Sequence, residues 1–286
     1  MLEEMLSFPF FQRALVGGLL VVVMLSLLSF FVVLRKISFA GAGISHSALG
    51  GVAIGLALGV NPTLTATIFC AAVAVVIGFI SRRGHLGEDV AIGIALSGTM
   101  ALGIVLIALS GKYVASLFAF LFGSILAITR SDIYVIAIYC AAIVALVLSF
   151  FKPLVCASFD EEMARTTGVP VAFLNYLLLV LISLAIVASM KLVGIILVSA
   201  MLVLPAATAY QLAQTYRRIL IISLASGVVS LLAGLFFSYM FDIPSGATIV
   251  LCACALFVVG FVLSPKRRKK ARIESPIQVE PPTQGG

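Results

Sequence analysis

The sequence predicts an all-α membrane protein, a polytopic bundle of eight or nine transmembrane helices, and three observations carry that prediction. The chain is 63% hydrophobic and 10% charged, with a mean hydropathy of +1.27, whereas a soluble domain is about half apolar and a quarter charged. Apolar runs close to the roughly 20 residues of a helical span recur along nearly all 286 residues. Basic residues cluster at the ends of those runs, the distribution that membrane topology imposes. No stretch is left for a soluble catalytic domain. The net charge of +7 therefore reflects topology and gives no reason to expect nucleic acid as a partner.

Spans are expected at about 13–34, 39–60, 62–81, 90–110, 132–151, 171–190, 192–213, 217–240 and 246–264, with ends uncertain by several residues. Together they form one permease domain, 13–264, preceded by a short segment, 1–12. Residues 114–128 (VASLFAFLFGSILAI) are too few for a full crossing and suit an external half-helix. With the C-terminus inside, the inner loops collect Arg35 and Lys36, Arg82 and Arg83, Lys152 and Arg165, Arg217 and Arg218, and the run 266–272. Only Arg13, Lys112, Arg130 and Lys191 fall outside, and the N-terminus is then external. An eight-span count would place it inside.

The second span carries the most information. In residues 39–60, Gly43, Ser47, Gly51, Gly55 and Gly59 recur every fourth position, a ladder that lets another helix approach closely. His46 stands beside this ladder, where a polar group inside a membrane needs a partner or a purpose. A packing histidine and a metal-binding one are both consistent with the residues alone. Ser45 and Ser47 could supply oxygens, and bonding back to helix carbonyls is the default for such serines.

The loop 152–170 is the longest polar interruption and predicts a short cytoplasmic helix, capped by Ser158 or Asp160 and ended by Gly168 and Pro170. Such a helix is either a solvated connector or a docking element for a soluble partner. In the seventh span Pro205, beside Ser199 and Thr208, predicts a kink whose freed carbonyls need satisfaction from protein or water. Asp242 stands at the external mouth, where an acid attracts cations or a delivering protein; capping the start of the last helix is the alternative. Residues 265–286 read as a basic and then proline-rich tail lying on the anionic inner leaflet. The five cysteines read as small apolar residues packed in the core, Cys252 and Cys254 included. His85 reads as solvated, and Asp132 and Lys191 as separate boundary charges.

Three strings in order, ISHSALGGVAIG at 44–55, SFDEEMARTTGV at 158–169 and GIILVSAMLVLPAATA at 194–209, resemble the integral membrane subunits of ABC-type importers for zinc, manganese and iron. LFGSIL at 121–126 and DIPSGATIVL at 242–251 add to the resemblance, which covers most of 10–264. It implies a multi-pass permease of the prokaryotic plasma membrane, working as a homodimer or with a similar sister subunit. It further implies a cytoplasmic ATPase as motor and an external metal-binding lipoprotein or periplasmic protein as the source of substrate. The substrate would be a divalent transition-metal ion, with no permanently bound cofactor and ATP confined to the partner. The chain's own lack of a G-x-x-x-x-G-K-[ST] loop agrees with that division. Through the resemblance, Asp160, Glu161, Glu162, Ala164, Arg165 and Gly168 become the coupling helix that fits the ATPase. His46, Ser45, Ser47, Ser199 and Pro205 fall on the translocation path. One position departs from the family: its DxxSH motif carries an aspartate where this chain has Ala42. A permease of the same fold for a chelated metal or small solute, and a self-contained secondary transporter, are the alternatives.

Overall fold

The computed structural model describes residues 9–84, 86–110, 123 and 129–264. The half-helix expected at 114–128 (Gly123 apart), His85, most of the N-terminal segment and the tail 265–286 lie outside the described residues. Eleven helices are described: α1 (Pro9–Leu34), α2 (Phe39–Leu58), α3 (Pro62–Arg83), α4 (Glu88–Ser110), α5 (Arg130–Ser149), α6 (Phe151–Phe159), α7 (Glu161–Thr166), α8 (Val171–Met201), α9 (Leu204–Leu212), α10 (Tyr216–Phe241) and α11 (Ser245–Val262). Local chemistry sets several of their ends. Asn61 caps α3 through Thr63 N–H ahead of Pro62, and Thr129 with Asp132 forms a reciprocal capping box on α5.

Among the described residues, eight helical stretches are long and apolar enough to cross a bilayer. The longest, Val171–Leu212, has 42 residues and turns back on itself. Its start lies beside the cytoplasmic end of α5, where Phe150 and Phe173 pack with ring centroids 5.8 Å apart. Its middle reaches the opposite end of α5, where Lys191 Nζ is 2.7 Å from Asp132 Oδ1. The chain then returns to Tyr216, whose ring is 6.4 Å from Phe151. Gly194 makes the reversal, with φ 79° and ψ 159° inside an otherwise helical run. Those angles belong to a region that is essentially glycine's alone. Among the described residues the eight apolar stretches thus make nine passes, and Pro9 at the start of α1 lies at the opposite end of that helix from the basic pair Arg35 and Lys36.

α8 is the central post. Residues such as Leu174, Leu178, Ile182, Ala185 and Ile186 are fully buried among α1, α2 and α3. α4, α5 and α11 are peripheral and show Ile104, Ile138 and Leu251 outward. Two expectations are corrected here. Cys252 is half-buried and Cys254 is exposed, so this pair faces away from the core because α11 lies at the rim. Asp242 ends α10 in the left-handed conformation, its N–H bonded to Ser238 O, while Pro244 precedes α11. It therefore does not cap the last helix.

Candidate functional site

α2 is held on three sides by close approach. A Cβ on Gly41 would lie 3.2 Å from Ser199 O of α8; one on Gly51 would lie 2.6 Å from Ala66 Cα of α3. One on Gly55 would lie 2.7 Å from Pro62 Cα, and one on Gly50 2.9 Å from Thr99 O of α4. Gly43 is covered by Ile92 of α4. The ladder is thus divided, Gly51 and Gly55 against α3, Gly43 and Ser47 against α4. Gly59 lies beyond it: nothing is within 4 Å of an added Cβ, and with φ 72° it terminates the helix.

At 100° per residue, with Gly41 as origin, α4 covers the sector at about 180–240° and α3 that at about 280–320°. Leu49, Ala42 and His46 occupy about 80–140°, between α8 and α4, and all three remain half-buried. His46 Nδ1 is buried and has no hydrogen-bond partner. Ser45 Oγ, fully buried, is also unpartnered, contrary to the expectation of a bond back to its own helix. Ser47 does bond back, donating to Gly43 O at 2.9 Å and accepting from Thr99 Oγ1 at 2.8 Å. Among the described residues no three His, Cys, Asp or Glu side chains converge as a metal site.

Pro205 sits in the first turn of α9, after a break at Leu202 and Val203. Serines from neighbouring helices satisfy the broken backbone. Ser29 Oγ donates to Val203 O at 3.4 Å and accepts from Ala206 N at 3.2 Å, while Ser226 Oγ donates to Pro205 O at 3.3 Å. Val203 O also accepts from Ala207 N at 3.0 Å, so backbone and serine hydroxyls together meet the groups freed at the break. Ser199, half-buried, bonds Ile196 O at 2.9 Å and stands next to Gly41.

On the cytoplasmic face α7 is a single exposed turn and a half. Asp160 caps it by accepting from Met163 N at 2.9 Å, and Gly168 ends it with φ 80°. Ser158 belongs instead to α6, donating to Leu154 O at 2.6 Å. Ala164 is fully buried and anchors the helix, leaving Phe159 and Met163 each 63% exposed. Glu162 points outward, and Glu161 pairs with Arg165 at 2.5 Å and with Arg82 at 3.8 Å. Two contacts had no signal in the linear sequence. One is the Lys191–Asp132 ion pair at the external boundary. The other is a network in which Arg35 donates to Asn175 Oδ1 and Asn175 Nδ2 donates to Glu88 Oε1 at 2.7 Å. Burial pulls the Arg35 guanidinium below its ordinary range, and the charges of Glu88 and Glu161 oppose that shift.

A re-entrant, multi-crossing all-α bundle with a short exposed helix on one face defines a polytopic membrane protein. The chain belongs to the ABC 3 transport family, which matches residues 7–264. It is similar to the manganese transport system membrane protein MntC of Listeria monocytogenes, 39% identical over 93% of this chain and 95% of that one. It is also similar to the manganese import system permease protein ScaB of Streptococcus gordonii, 39% identical over 92% of this chain and 94% of that one. Among solved structures, PsaBC from Streptococcus pneumoniae in complex with Fab superposes with a TM-score of 0.84, at 38% identity over 96% of this chain and 100% of that one. A metal-chelate type ABC transporter in an inward-facing conformation, at 18% identity and a TM-score of 0.72, shares the fold alone. The chain is a multi-pass permease component of the prokaryotic plasma membrane.

Proposed function

We propose that this subunit imports a divalent transition-metal ion, manganese foremost, by alternating access driven by ATP hydrolysis on a separate cytoplasmic subunit. The half-buried His46, whose buried Nδ1 has no partner, on the α2 sector between α8 and α4, supports this reading together with what the relatives' names say they transport. A ring nitrogen held without a protein partner is ready to bond a passing cation. Ser45, one residue before it, is fully buried and Ser199 stands next to Gly41 of the same helix, whereas Pro205 packs among α1, α10 and α11 and joins the path only as the family resemblance implies. The open sector between α8 and α4 is where a second subunit, another copy or a sister chain, closes the pathway and adds ligands. That need follows from Ala42: one imidazole without a carboxylate one turn away is a weak manganese site.

An external metal-binding protein delivers the ion at the mouth near Asp242. Inside, the ATPase docks on Phe159, Met163 and the charged rim formed by Glu161, Glu162 and Arg165, with Asp160, Ala164 and Gly168 holding that helix in shape. The test is uptake of manganese, zinc and iron into vesicles holding the permease with its ATPase. His46→Ala is expected to lower manganese uptake at least tenfold, and Ala42→Asp, which restores an acid four residues before His46, to lower its KM. Full ATP-independent uptake by this chain, or unaltered uptake of every metal by His46→Ala, sinks the reading.

A further inference from the structure

The end of α6, which leads directly into the coupling helix, is joined to the His46 helix by a continuous set of contacts, most of them polar, that no local motif announces. A cleft of about 860 Å³ lies beneath it, lined by Arg35, Arg82, Glu88, Ser158, Glu161 and Asn175 among others. Across that opening the connection runs through side chains and not through packed apolar core. Arg35, the first residue after α1, reaches Ser158 Oγ with its Nε at 3.3 Å and Asn175 Oδ1 with its Nη1. Asn175, on the first turn of α8 and buried, passes the connection to Glu88 Oε1 at the first residue of α4. One turn along α4, Ile92 lies on Gly43 of α2, and His46 follows Gly43 by one turn.

We propose that Arg35, Asn175 and Glu88 are the positioning residues that transmit movement of the 160–168 helix to α4, and through Ile92 and Gly43 to His46. Each link joins a different chain segment: α1, α6, α8 and α4. A hydrogen-bonded amide accepting from one charged group and donating to another is directional, so displacement of the coupling segment pulls on the start of α4 without first repacking a core. Arg35 is half-buried, and its charge is balanced by Glu88 of this set and by Glu161, so leaving the set costs it hydrogen bonds and part of that balance. The inference rests on the ATPase-driven reading above.

The discriminating measurement is metal uptake per ATP hydrolysed, read on the permease and ATPase complex reconstituted in vesicles. Asn175→Leu keeps the volume and removes both hydrogen bonds; uptake per ATP is expected to fall at least tenfold while ATPase retention and hydrolysis stay within twofold of wild type. Glu88→Ala, which cuts the last link and removes the charge facing Arg35, is expected to uncouple likewise and decides the matter if Asn175→Leu fails to assemble. Glu88→Gln retains an acceptor for Asn175 and is expected to restore the ratio to within twofold. An unchanged uptake per ATP in an assembled Asn175→Leu or Glu88→Ala complex overturns the inference, as does Glu88→Gln behaving like Glu88→Ala. A wild-type complex without ATP-dependent uptake would instead remove the transport reading beneath it.

Discussion

Replacing Gly51 by alanine tests whether the glycine ladder is a packing device. The added Cβ would lie 2.6 Å from Ala66 Cα and 3.0 Å from Phe69 Cβ, against the roughly 3.5–4.0 Å that carbon atoms prefer. Neither neighbour can swing aside, since one is backbone and the other is the root of its side chain. α2 and α3 must therefore part locally by about 1 Å, and overpacking of this kind costs about 1–3 kcal/mol. Alanine's greater helix propensity returns about 1 kcal/mol. Because the obstruction is backbone, the upper part of the steric range applies, for a net loss near 1–2 kcal/mol. Gly17→Ala is the matched control: its Cβ would also meet an atom at 2.6 Å, but that atom is Leu192 Cδ1, the far end of a flexible side chain. Thermal unfolding of the purified subunit in detergent, followed by fluorescence-detected size exclusion, should show Gly51→Ala several degrees below wild type and Gly17→Ala at or slightly above it. Equal stability of the two variants would refute the steric argument.

Three further outcomes follow from the same geometry. Gly194→Ala places a side chain at φ 79° and ψ 159°, a strain of about 1–3 kcal/mol, and should lower both the unfolding temperature and metal uptake; normal values for both would show that the reversal does not need glycine. Asp160→Ala removes the cap on α7, worth about 1 kcal/mol locally, so ATPase co-purification should weaken while the unfolding temperature of the permease barely moves. Lys191→Gln breaks a pair whose side chains are 53% and 19% exposed; solvent screening limits the loss to about 1 kcal/mol, and a larger drop in thermal stability would mean the pair is more enclosed than it stands here.

The bundle was legible in the linear chain because its signals are local. Run length tells a helix whether it can span, the bias of lysine and arginine tells it which way, and Asp160 with Gly168 marks the ends of a helix only six residues long. The site was legible in outline for the same reason: Gly43, His46, Pro205 and the 158–169 string are each visible within one or two helical turns. What decided their use was long-range. Arg35 meets Asn175 across 140 residues and Asn175 meets Glu88 across 87, distances at which no periodicity speaks. Whether Gly51 faces α3 or Gly43 faces α4 depends on which helices arrive, and a ladder of small residues permits either. The 171–212 stretch was legible as two crossings, 171–190 and 192–213; packing against both ends of α5 shows the reversal, and Gly194 makes the turn. Composition and spacing establish that this chain lives in a bilayer and what its helices can tolerate, whereas the sector His46 occupies between α8 and α4, and the Arg35–Asn175–Glu88 set proposed to move it, come from helices brought together over the whole length of the chain.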